Sequence, residues 1–137
     1  MADAARTLAE RAAAEAAREL GLDRVPEVRF VRGRDRGRVK PTKRPGSIYV
    51  NPDQSPAEII RTARHETYHV AQTAHGLPVS HDGFDRLETW RRSSAERFAT
   101  GELSPRKARR RLAREQALRT TTIRIILDTQ EDPCRYP

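Results

Sequence analysis

The chain has 137 residues, enough for one domain with a modest core. One Trp, three Tyr and three Phe beside abundant alanine make that core thin and partly alanine-lined. There is no apolar run of about 18 residues or more, so no membrane span is expected, and the single cysteine, Cys134, rules out an internal disulfide and fits a reducing compartment.

In chain order, residues 3–20 read as an Ala-rich helix, with Leu8, Ala12, Ala16 and Leu20 on one face, ended by Gly21 and followed by Pro26. The start, Met1 to Arg6, mixes both charge signs with alanine and lacks the apolar stretch of a signal peptide. A cytoplasmic location is expected, with non-classical secretion left open. Residues 27–32 alternate as a strand. Residues 33–46 read as a basic loop or edge hairpin, with a short strand at Arg38-Val39-Lys40, and Ser47–Val50 as a further strand. Asn51-Pro52-Asp53 turns the chain into a helix at 55–75, whose start carries the capping box Ser55-Pro56-Ala57-Glu58. Gly76 and Pro78 end it. Residues 84–100 read as one helix bearing Phe84, Leu87, Ala95 and Phe98, and Ser104-Pro105 opens another over 105–119. Thr120–Leu127 is β-branched and reads equally as strand or continued helix. The tail 128–137 is expected to be irregular. No repeat and no second domain is visible, so residues 1–137 are expected to form a single domain.

The net charge of +8 is concentrated in two zones. Residues 29–44 hold eight basic side chains against Asp35, and residues 104–119 hold seven against Glu115. Both zones suit an anionic partner. Arg-rich runs on solvated faces are also common, so this balance alone names no partner.

The stretch His65-Glu66-Thr67-Tyr68-His69 carries the chemistry. Residues four apart on a helix differ by about 40° in azimuth and about 6 Å in height. Two imidazoles so placed can hold one ion, and the intervening Glu can reach a water bound to it. On the wheel, Ile59, Ile60, Ala63, Thr67, Val70, Ala71 and Ala74 form the apolar side. His65, Glu66 and His69, with Thr62, fall on the opposite edge, which is expected to be free. The bland alternative is a pair of surface histidines on an amphipathic helix.

A catalytic zinc site takes three protein ligands and a water. His75 has the spacing of the metzincin pattern H-E-x-x-H-x-x-G-x-x-H, but Gln72 stands where that pattern has Gly. If the helix continues through Gln72, His75 turns away. Glu88 and Glu96 lie on the following segment. Glu96 is favoured because Ser94, Ala95 and Ala99 allow close helix approach and Phe98 can anchor it, whereas Glu88 adjoins the bulkier Trp90 and Arg91. Each Glu could instead pair with a nearby Arg on its own helix.

The order of elements resembles that of small gluzincin peptidases. The pieces Ile48-Tyr49-Val50-Asn51, His65-Glu66-Thr67-Tyr68-His69 and Glu96-Arg97-Phe98-Ala99 are similar to the ImmA/IrrE-type metallopeptidases, whose Glu ligand lies near a Phe-Ala pair. The acid of that family's usual pattern falls on Ser94 here. The run through Val70-Ala71-Gln72 also looks like the metallopeptidase-like core domain associated with contractile injection systems, which has a Gln after the second His. The likeness covers roughly residues 47–100. It implies an α+β, zincin-like (minigluzincin) domain, with a short antiparallel or mixed sheet packed against the motif helix and further helices.

The expectation is a zinc-dependent metallopeptidase, with His65, His69 and Glu96 on Zn2+ and Glu66 as general base. Zinc lowers the pKa of its water to about 7, and Glu66 passes the proton to the leaving amine. His81, Tyr68 and Tyr136 are candidate donors to the oxyanion. An open edge on Ser47–Val50 would hold an extended peptide by strand addition, with the basic loop bordering the cleft. The alternatives are an inactive zincin-like binding or structural module of a phage or secretion assembly, and an Arg-rich nucleic-acid-binding regulator.

Overall fold

Helix α1 (Ala2–Glu19) is followed by β1 (Glu27–Phe30), β2 (Gly37–Val39), β3 (Ser47–Val50), α2 (Pro56–Ala74), α3 (Ser94–Ala99) and α4 (Pro105–Glu131). This computed structural model describes residues 2–32, 37–39, 46–79 and 93–131. The architecture is α+β and mostly helical. Among the described residues no helix is long and apolar enough to cross a membrane.

The three strands form one sheet in the order β1-β3-β2. β1 pairs with β3 in parallel, Val28 opposite Ile48 and Phe30 opposite Val50. β2 pairs with β3 antiparallel, Val39 opposite Ile48. The sheet is therefore mixed, and the purely antiparallel option is corrected. A second correction follows from the strand order. β3 is central and hydrogen-bonded on both sides, so it has no open edge to receive a peptide. Ile48 and Val50 are fully buried, as a central strand under a helix layer requires.

The helix ends obey local chemistry. Gly21 takes φ +71° just past α1, a left-handed position that costs glycine nothing. The Asn51 side chain accepts from Asp53 N at 2.9 Å, closing the turn between β3 and α2. Ser55 caps α2 by accepting from Glu58 N, with Pro56 at the first helical position.

Two buried clusters hold the elements together. One joins Ala5, Ala9, Ala12 and Ala13 of α1 to Val28, Ile48 and Val50 of the sheet and to Ile59 and Ala63 of α2. The other joins Ala16 and Leu20 to Tyr68 and Ala71 of α2, Ala95 and Phe98 of α3, and Leu103, Ala108 and Leu112. The alanines let α1 lie close against α2. Arg64 ties three helices: it pairs with Glu19 at 2.8 Å and its guanidinium lies 4.5 Å from the centre of the Phe98 ring.

The first strand ends at Phe30 rather than at residue 32 and the second covers Gly37–Val39, and two helix boundaries differ more widely from the sequence reading. A single helix over 84–100 is not formed, because Ser93 adopts an extended backbone and its hydroxyl accepts from Glu96 N, starting a new helix at Ser94. Phe84 and Leu87 lie outside the described residues. α4 runs to Glu131, so Thr120–Leu127 continues the helix and residues 128–131 are helical where an irregular tail was expected. The threonine hydroxyls turn back onto the helix, Thr121 donating to Ala117 O at 2.9 Å and Thr122 to Leu118 O at 2.9 Å.

Candidate metal centre

The motif sits in the third and fourth turns of α2, the helix that leaves the central strand. Its neighbours fix it from within. Thr67 and Tyr68, the two middle residues, are fully buried, and Thr67 donates to Ala63 O at 2.7 Å. The expected division of α2 into an apolar face and a free face does not hold. Ile60 is 39% exposed, while His65, Glu66 and His69 are 7%, 6% and 2% exposed. α3 closes over the face that the wheel leaves open, and its Glu96 accepts from His65 there.

The two imidazoles meet edge to face, with ring centroids 4.8 Å apart and planes at 73°. Their Nε2 atoms lie 3.0 Å apart. Each ring is held from the other side. His65 donates from Nδ1 to Glu96 Oε2 at 2.7 Å, and His69 donates from Nδ1 to Gln72 Oε1 at 2.8 Å. Two imidazole nitrogens on one tetrahedral zinc, each about 2.0–2.1 Å from it, stand about 3.3 Å apart. The spacing between the two Nε2 atoms is thus close to what a shared ion needs. Among the described residues, no group of three His, Cys, Asp or Glu side chains is arranged to hold an ion.

Glu66 is buried, and that burial, reinforced by the negative charge of Glu96, pushes its carboxyl up to about 8. Glu96 goes the other way. Its burial acts to raise it, but the hydrogen bond and charge of His65, together with the Arg61 guanidinium, outweigh that and hold it below the usual carboxylate range. Two neighbouring carboxyls are thereby driven apart: one holds its proton tightly and the other is a fixed anion.

Glu96 is the carboxylate that another element brings to the pair. Its Oε1 meets Arg61 Nε in an ion pair, and its Oε2 meets the His65 nitrogen that faces away from His69. Ser94, where the resembled pattern has its acid, accepts instead from Arg111 Nη1 at 2.7 Å. His75 is not brought to the pair. α2 continues through Gln72, and His75 caps it, donating from Nδ1 to Ala71 O at 2.8 Å. Glu88, His81, Tyr136 and Cys134 lie outside the described residues, as does most of the basic loop.

Sequence reasoning missed Arg61 and the positive role of Gln72. Arg61 precedes His65 by four residues, on the same face, a spacing that signals a neighbour of the site. Gln72 follows His69 by three.

No protein-family model, no curated protein and no solved structure matches this chain.

Proposed function

We propose that the protein is a zinc-dependent peptidase in which His65 and His69 hold the ion, Glu96 would join them as third ligand by turning from His65 Nδ1, and Glu66 is the general base. The observation that carries this reading is the pair of Nε2 atoms 3.0 Å apart, each ring buttressed at Nδ1 by an acceptor. Zinc bound there supplies Lewis acidity, activating water and polarising a carbonyl. Glu66 acts in its ionised form, which the positive charge of a bound ion would favour against the burial that raises it; it takes the proton of the attacking water and returns it to the leaving amine. Arg61 keeps Glu96 ionised and oriented towards His65.

The test is the metal content and activity of the purified protein. Near-stoichiometric zinc is expected, lost in His65→Ala and His69→Ala and kept in Glu66→Gln. A peptide library should be cleaved by the parent and not by Glu66→Gln. Zinc-free protein that takes up no zinc with both histidines intact would sink the proposal.

The contact between Glu96 and His65 Nδ1 supports a second role for Glu96, as the carboxylate that orients His65 rather than a ligand. Glu96→Gln separates the two roles. An amide oxygen still accepts from Nδ1–H, so an orienting role predicts a loss of zinc affinity within about 10-fold, while a ligand role predicts a loss well beyond that. The near-complete burial of the motif supports a second reading for the whole protein, a metal-stabilised zincin-like module without turnover. Zinc binding with no cleavage of any library peptide would select it.

A further inference from the structure

From the geometry at the end of the motif helix we infer that Gln72 is the positioning residue for His69. Its side-chain oxygen fixes the imidazole in the form that carries hydrogen on Nδ1 and leaves Nε2 bare for a metal. The inference rests on the zinc reading above and adds to it a residue outside H-E-x-x-H.

Gln72 lies one turn beyond His69, three residues on, where side chains of one helix face meet. It is 1% exposed, so its amide is committed to the interior. Its Oε1 stands 2.8 Å from His69 Nδ1. A neutral imidazole has one donor and one acceptor nitrogen, and the partner on one side decides which is which. An oxygen that only accepts requires hydrogen on Nδ1, and the lone pair then belongs to Nε2, the atom that faces His65 Nε2 at 3.0 Å.

The two histidines are therefore treated alike by different means. Glu96, arriving from α3, serves His65, and Gln72, from α2 itself, serves His69. An uncharged acceptor on one side leaves the site one negative charge lighter than a second carboxylate would. A glycine turn at residue 72 would remove the acceptor, whereas the continuous helix delivers it at the right height.

Two measurements test this. The first uses the parent, metal-free, at a pH where the imidazoles are neutral. Long-range nitrogen–proton NMR of the histidine rings should show His69 with hydrogen on Nδ1, and hydrogen on Nε2 would overturn the inference. The second is zinc affinity, by competition with a chromophoric chelator, for the parent, Gln72→Met and Gln72→Glu. Gln72→Met keeps the volume and loses the acceptor, and is expected to weaken zinc binding about 10–100-fold. Gln72→Glu restores an acceptor and is expected to bind at least as tightly as the parent. A helical packing role alone would predict equal affinity for Gln72→Met, and that result overturns the inference while leaving the zinc site standing. A parent that binds no zinc overturns both. Should Gln72→Met not fold, the NMR result on the parent decides.

Discussion

At the scale of single residues, the sharpest consequence concerns Glu66. Its folded-state carboxyl is raised from 4.5 to about 8, so the folded protein binds that proton more tightly than the unfolded chain. The stability it contributes is present in full below about pH 4.5 and is lost as pH rises towards 8. For metal-free protein this one group sets an upper bound of up to about 5 kcal/mol across that window. Thermal melts of metal-free parent should show Tm falling from pH 5 to pH 8, and Glu66→Gln should flatten the profile. A parent profile already flat over that range would contradict the burial argument. The residues that read most clearly from sequence were those whose spacing is itself chemistry: two histidines and a glutamate on one turn. In the sequence Gln72 stands out for the glycine it displaces. Its contribution depends on which way a side chain turns inside a packed helix pair, and spacing does not encode that.

At the scale of elements, α3 is the dependent part. Six residues are too few to be helical alone, so α3 exists through its cap and its packing. Ser93 is fully buried and accepts from Glu96 N at 3.3 Å. Ser93→Ala should cost about 1 kcal/mol, measured by urea unfolding. An unchanged midpoint in Ser93→Ala would show that packing alone holds α3. This boundary was legible: Ser93-Ser94-Ala95-Glu96 has the same Ser-x-x-Glu form as the cap of α2, but apolar periodicity across 84–100 masked it. The cap of α2 was read because Pro56 and the Asn-Pro turn point the same way. α4 poses the opposite case. Its first turns are anchored by Ala108 and Leu112, while residues 116–122 are exposed. Amide exchange should be fast over 116–122 and slow over 59–72. Equal protection in the two segments would mean that the end of α4 has a partner in solution.

At the scale of the whole molecule, alanines govern how closely the helices meet. Ala9, Ala13 and Ala63 are fully buried between α1, the sheet and α2. Ala13→Leu should overpack this layer and cost about 1–3 kcal/mol, seen as a lower Tm. An unchanged Tm would show that α1 can shift outward freely. The composition announced a thin alanine core, and the core is built so. The parallel pairing of β1 with β3 was not legible, because alternation tells which face a strand buries but not which strand lies beside it. Lys107, Arg110, Arg111 and Arg114 of α4 line a groove of about 320 Å³ together with Arg97 of α3 and Leu103. If acidic partners dock there, their binding should weaken steeply with salt, and a salt-independent affinity would count against it.

Tyr68, one of the two interchangeable letters of the motif, lies with its ring 5.8 Å from that of Phe98, two residues beyond Glu96. If the site takes up zinc as proposed, metal capture and core packing would be thermodynamically linked through this pair of rings. Phe98→Leu should raise the zinc concentration at half-loading, and saturating zinc should recover part of the stability that the substitution removes. A half-loading point that does not move would break the link. A half-loading point that does move would make the metal a gauge of how well the domain is packed, read at a distance from the packing itself.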